Sequence, residues 1–225
     1  WRSGNKDQHH AMAFNLAAKG YACFTPEYRL STEALYPAAV QDIKAVVKWV
    51  KTNAAKFHVD TNRIVVLGFS AGGQLAALVG TTNGDKLFEP AFTARASSRV
   101  QAIVDIDGTL SFIHPESGEG DDSKKTSAAT YWFGYSKTEK PELWKEASPL
   151  THAGAFTPPT LFINSSVARM HAGRNDFMQL LRNKNIYTDL KEFENSPHSF
   201  CLFEPWFTPT VEYIDTFLQN VFPKK

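Results

Sequence analysis

The residues best suited to chemistry in this sequence are one serine flanked by glycines and one histidine near the far end of the chain. Gly68-Phe69-Ser70-Ala71-Gly72 fits the pattern G-x-S-x-G. In that pattern a strained strand-to-helix turn lifts the serine oxygen above the end of a sheet. The apolar run Arg63 to Leu67 supplies the strand, and the Ala/Leu-rich stretch ending near Gly80 supplies the helix. Glycines two residues either side remove side chains that would collide with strand or helix. The start of the helix offers free N–H groups, that of Ala71 first, to an oxygen on which negative charge develops. A serine hydroxyl is a poor nucleophile without a base. Of the seven histidines, His9, His10 and His58 come too early in the chain, His114 and His152 lie in or just after an irregular segment, and His171 opens a helix. His198, in Asn195-Ser196-Pro197-His198-Ser199-Phe200, stands in a loop between the last predicted strand and the closing helix, and is the expected base.

These groups need a scaffold, and the hydrophobic pattern provides one. Strands are predicted over Tyr21 to Thr25, Arg63 to Leu67, Val100 to Ile106, Thr160 to Asn164 and Tyr187 to Phe193. Helices are predicted over Gln8 to Lys19, Pro37 to Lys56, the turn after Ser70 to Gly80, His171 to Lys184 and Pro209 to Val221. Strands that alternate with helices, with runs such as Arg-Ile-Val-Val-Leu apolar throughout, indicate an α/β fold with a mostly parallel sheet flanked by helices. The stretch from Gly108 to Pro149 follows neither period and reads as an insertion, part loop and part helix, over one end of the sheet. A length of 225 residues suits one domain over residues 1–225.

A formal net charge of +1, with no long basic or acidic run, gives no sign of nucleic acid or of an anionic membrane surface as partner. No apolar stretch is long enough to span a bilayer. Two cysteines, Cys23 and Cys201, make no disulfide framework. No His/Cys/Asp cluster has metal-ligand spacing, so neither metal nor cofactor is expected. The chain opens on Trp1 rather than methionine, so its true N-terminus is expected to lie upstream.

With these residues in view, the sequence resembles the α/β-hydrolase superfamily, and within it the acetylesterase-like carbohydrate esterases. The likeness is carried by Gly20-Tyr21, Pro26-Glu27-Tyr28-Arg29-Leu30-Ser31, Tyr36-Pro37-Ala38-Ala39 with Asp42, and, later, Glu142-Leu143-Trp144 followed by Ala147-Ser148-Pro149-Leu150. It implies a structural ion pair between Arg29 and Asp42. It also implies that a His-Gly-Gly-Gly-type loop, with the first strands, precedes Trp1-Arg2-Ser3-Gly4. Without that loop the oxyanion hole would be incomplete, at a loss of roughly 3 kcal/mol per missing donor.

The triad acid departs from the usual pattern of such relatives. Its ordinary position, after the strand Leu161-Phe162-Ile163, falls near Ala168, where no carboxylate stands. Asp107, after the preceding strand, preserves the chain order Ser, Asp, His and is the first candidate. Asp176 is the second, with Asp105 and Glu204 behind it. Where the usual acid loop would be, Arg169-Met170-His171-Ala172-Gly173-Arg174 offers guanidinium and imidazole groups. Arg169, His171 and Trp1 are the candidate substrate contacts, and a guanidinium suits an acidic sugar such as galacturonate. The resemblance therefore implies a serine carboxylesterase acting on acetyl or methyl esters of xylan or pectin, and an export route to the periplasm or outside the cell. Two alternatives stay open: a small-molecule carboxylesterase or lipase, and a non-catalytic or truncated module of the same fold.

Overall fold

Four short strands form the centre of the fold, and the two inner ones are buried on both faces, as expected of parallel strands covered by helices on each side. The computed structural model describes residues 1–90 and 95–223. In chain order, α1 (His10–Ala18), α2 (Ala38–Thr52) and the short α3 (Ala54–Phe57) precede β1 (Val65–Phe69). Then come α4 (Ala71–Thr81) and β2 (Ala102–Ile106). The insertion carries α5 (Ala128–Phe133), α6 (Pro141–Glu146) and α7 (Pro149–His152). The chain closes with β3 (Thr160–Asn164), α8 (Arg174–Arg182), β4 (Thr188–Glu192) and α9 (Phe207–Val221).

The strands pair in sequence order, β1-β2-β3-β4, and every pair is parallel. Alternation along β2 and β3 divides the core in two. Ile103 and Phe162 face α2, α4 and α8, whereas Val104, Ile106, Leu161 and Ile163 face α1 and α9. This is the α/β-hydrolase fold expected from the sequence, with helices on both faces.

Helix ends follow local chemistry. In α2, Val40, Val47 and Val50 form the buried stripe, and the helix breaks at Asn53, so the single helix expected over Pro37 to Lys56 is in fact α2 and α3. Lys44 of that helix is fully buried, and its Nζ donates to the Thr82 carbonyl (2.6 Å) at the C-terminus of α4, where a cation is favoured. The helix expected from His171 begins only at Arg174, because Gly173 takes a left-handed φ of 80° and interrupts it. The insertion is folded around Trp132, Phe133 and Trp144, which pack on Phe112.

One expected strand is absent. Tyr21–Thr25 has no regular structure and no ladder partner among the described residues. It lines the same cleft as β1, whose outer edge is unpaired. A strand exists only through hydrogen bonds to a neighbour, so the apolar character of Tyr21 to Thr25 gave the period without the pairing.

The turn between β1 and α4 is sterically tight at one glycine of the motif and roomy at the other. A Cβ on Gly68 would lie 2.0 Å from the Gly72 carbonyl oxygen, whereas one on Gly72 would meet nothing within 4 Å. The second crowded glycine is instead Gly73, where a Cβ would stand 2.4 Å from Asp105 Oδ1 and 3.0 Å from Gly108 Cα. Gly68→Ala should therefore destabilise the fold by about 1–3 kcal/mol, as overpacking against backbone does. Gly72→Ala should be neutral or gain up to about 1 kcal/mol of helix propensity. Urea unfolding of the two variants checks the contrast, and equal losses would refute it.

Candidate active site

Parallel strands bring their carboxyl ends to one edge, the usual place for a site in an open α/β sheet. Each of the four strands leads a functional group to that edge. Ser70 follows β1, Asp107 follows β2, Asn164 ends β3, and His198 stands in the loop after β4. Ser70 sits at φ 56°, ψ −120°, backbone that is strained for a residue with a Cβ and costs on the order of 1–3 kcal/mol. Its N–H still donates to the Ile106 carbonyl (2.8 Å), which extends the β1–β2 ladder by one residue before the chain turns into α4.

The side chains form a continuous line. Ser70 Oγ lies 2.8 Å from His198 Nε2, and His198 Nδ1 lies 2.9 Å from Asp107 Oδ2. Beside an ionised Asp107 the proton belongs on Nδ1, leaving Nε2 as acceptor for the Ser70 hydroxyl. Asp107 is wholly buried, and its other oxygen accepts from the Ser165 N–H (2.8 Å) and Asn164 Nδ2 (3.1 Å). Arg174 Nη1 donates to Asn164 Oδ1 (3.0 Å) and pairs with Glu192 (2.8 Å), so it fixes which way the amide faces. The His198 ring packs on Phe69, with centroids 4.8 Å apart. Cys201 is buried nearby, and burial, reinforced by the Asp107 charge, pushes its thiol up to about 12, so it stays protonated.

The other candidate acids lie elsewhere. Asp176 is largely exposed on α8 and approaches His114 (3.5 Å) rather than His198. Glu204 accepts from the Thr208 hydroxyl at the start of α9. Asp105 points to the opposite face of β2 from the one buried by Val104 and Ile106, with Oδ1 against Gly73.

Among the expected binding residues, the structure separates those that face the cleft from those committed to the scaffold. Ser70, Ala71, His198 and Arg169 all line one cleft of about 940 Å³. Ala71 is the first residue of α4, so its N–H has no partner within the helix and is available to an oxyanion. Arg169 Nη1 forms an exposed ion pair with Glu119 (3.3 Å) on the cleft rim. His171 does not line this cleft, contrary to expectation. Its Nε2 lies 2.8 Å from the Ser165 carbonyl, and the ring helps hold the loop whose N–H serves Asp107. Trp1 lines the cleft as well, but most of its ring is committed to the core. Only 8% exposed, it stacks on Trp132 (5.4 Å) and donates from Nε1 to Gln74 Oε1 (2.8 Å). The reason is size and polarity: a large ring with one donor is best placed in a core where that donor is met. Arg29 and Asp42 form the expected ion pair, with Nη2 to Oδ1 at 2.7 Å and Nε to Oδ2 at 2.9 Å. Sequence reasoning did not single out Asn164 and Ser165, and took Arg174 only as one of two guanidinium groups near the site. Only the position of Asn164 at the end of a predicted strand beside Asp107 signalled a role, and a backbone N–H such as that of Ser165 leaves no mark in residue type.

Asp107→Asn should leave the fold intact but lower kcat for a soluble ester by about 10⁴-fold, since it puts the His198 proton on the wrong nitrogen. Asp176→Asn should change kcat by less than about twofold, as expected for an exposed residue away from the relay. Steady-state hydrolysis of an activated acetate ester reads both, and a larger loss for Asp176→Asn would move the acid there.

The BD-FAE family matches residues 1–170 of this chain. Among curated proteins, esterase LipC of Mycobacterium tuberculosis is 28% identical over 98% of the chain and 56% of its own length. The probable carboxylic ester hydrolase LipM of the same organism is 29% identical over 88% of the chain and 44% of its own length. The chain thus spans about half the length of these relatives. Among solved structures, a truncated carbohydrate esterase from gut microbiota superimposes with a TM-score of 0.76 at 24% identity, covering 91% of this chain and 77% of that one. Esterase Est2 of Thermogutta terrifontis, with propionate bound, gives 0.78 at 23% identity, covering 100% and 82%. At these identities the structural matches establish the fold, the α/β-hydrolase fold. By the match over three quarters of its length, the chain belongs to the BD-FAE family of α/β-hydrolase esterases.

Proposed function

We propose that this chain carries out serine-dependent hydrolysis of carboxylic esters. The observation that carries the reading is the unbroken line Ser70 Oγ, His198, Asp107, with gaps of 2.8 and 2.9 Å. In the reaction, Ser70 Oγ attacks the ester carbonyl carbon as His198 Nε2 takes its proton. Buried Asp107 stabilises the resulting imidazolium, and the oxyanion lies toward the Ala71 N–H. The proton then passes to the departing alkoxide, leaving an acyl-serine. Water, activated by the same imidazole, releases the acid and restores the serine.

The proposed substrates are acetyl or methyl esters of plant cell-wall polysaccharide such as xylan or pectin. Support comes from the solved neighbours described as carbohydrate esterases, and from Arg169, whose guanidinium faces the cleft on an exposed pair that a substrate carboxylate can displace. A small-molecule carboxylesterase is the second reading, favoured by the mycobacterial esterases matched over nearly the whole chain.

Intact-mass labelling with a fluorophosphonate tests the chemistry. One adduct is expected on the wild-type chain and none on Ser70→Ala, and a folded wild type that stays unlabelled would refute the reading. Kinetics on acetylated and methyl-esterified oligosaccharides beside neutral acetate esters test the substrate class. Arg169→Gln should lower kcat/KM for uronate-bearing esters by about tenfold or more, the worth of a charge-assisted contact. Neutral esters should be unaffected; an equal loss on both would remove the carboxylate-binding role.

A further inference from the structure

Asp105 is the buried titratable group that the reaction above leaves unused. It lies mid-sheet on β2, 1% exposed, and its Oδ1 has no hydrogen-bond partner among the described residues. Its register partner on β1 is Gly68. A Cβ on Gly73 would come within 2.4 Å of that oxygen and one on Gly108 within 2.1 Å, so the carboxyl fills space that these two glycines leave open. Gly73 belongs to the first turn of the nucleophile helix, and Gly108 directly follows Asp107. The Gly108 backbone packs directly against the same carboxyl.

We propose that Asp105 is a positioning residue: an uncharged carboxylic acid wedged between the first turn of α4 and the turn at 106–108, which sets where Asp107 stands relative to Ser70 and His198. That turn is held at three points. The Ile106 carbonyl accepts from Ser70 N–H (2.8 Å), the Asp107 N–H donates to the Ile163 carbonyl (3.0 Å), and Gly108 packs against Asp105 Oδ1. Asp107 itself adopts φ 51°, a left-handed backbone that relaxes unless its surroundings enforce it. Asp105 supplies the enforcing contact on the α4 side.

The uncharged state follows from the neighbours. Two carboxylates on one turn, both out of water, do not ionise together. Asp107 is the one with partners for its charge, accepting from His198, Ser165 and Asn164. Arg174, the cation whose charge acts on Asp105, is already shared among Glu192, Asn164 and Asn175. Burial first, and the Asp107 charge second, push the Asp105 carboxyl well above the usual carboxylate range.

This inference rests on the esterase reading, and the experiment separates the two. Fluorophosphonate labelling of the wild-type chain comes first, and its absence would count against the esterase reading alone. Asp105→Asn, an uncharged isostere, should then keep kcat and labelling rate within about threefold, since one neutral hydrogen bond is the only change. Asp105→Ala should lower kcat by between about tenfold and about 100-fold, the range expected for a misplaced catalytic group, while KM stays unchanged. If Asp105→Ala does not fold, Asp105→Ser provides the same readouts. A large loss in Asp105→Asn would show that the charge is needed and overturn the proposal. So would a folded Asp105→Ala or Asp105→Ser with wild-type kcat, or one whose loss lies in KM rather than kcat.

Discussion

The cleft depends on one hydrogen bond made just where the sheet stops, from the Ser70 N–H to the Ile106 carbonyl (2.8 Å). It carries the β1–β2 ladder one residue beyond the regular strand and pins the serine backbone while φ swings to 56°. Without that anchor the turn would be free to relax, and the strain at Ser70 would be lost together with the direction of its oxygen. Because the acceptor belongs to the residue immediately before Asp107, the same bond fixes Ser70 and Asp107 relative to each other. The histidine then needs only to reach between two points already set.

Much of this was legible in the sequence. β3 falls at Thr160–Asn164 as expected, because Pro158-Pro159 marks its start and an unbroken apolar run defines its length. The motif around Ser70 was readable because its flanks had the right periods, not because of the five residues alone. Asp107 was distinguished from Asp176 by its place after a strand rather than within a helix, and from Asp105 by its place at the strand's end rather than inside it. In the structure the two neighbouring aspartates face different surroundings, one toward His198 and one toward α4.

The rest was illegible for identifiable reasons. Tyr21 to Thr25 had the composition of a strand, but strand formation is a property of a pair, and one sequence does not display the partner. Trp1 and His171 had the right chemistry for sugar and carboxylate, yet Gln74 and the Ser165 carbonyl claim their polar atoms. Residue type tells what a side chain can bond, and packing decides what it does bond. The support for Asp107 from a backbone N–H and from an amide oriented by Arg174 belongs to the same class of fact.

Housing the acid on β2 has a consequence for the loop after β3. Only Asn164 and Ser165, at its root, touch Asp107, while His171 ties the far side of the loop back to that root. Between these anchors Arg169 projects to the cleft rim with no tie to the proton relay. On the proposed reading, the reacting groups and the group that would meet the substrate are thereby held by separate segments. Ser166 is bonded to Ser196 in the His198 loop and Met170 is buried, so the freedom to change composition without moving the relay falls to residues 168 and 169. In a hydrolase whose acid sits on that loop, every such change would also disturb the base.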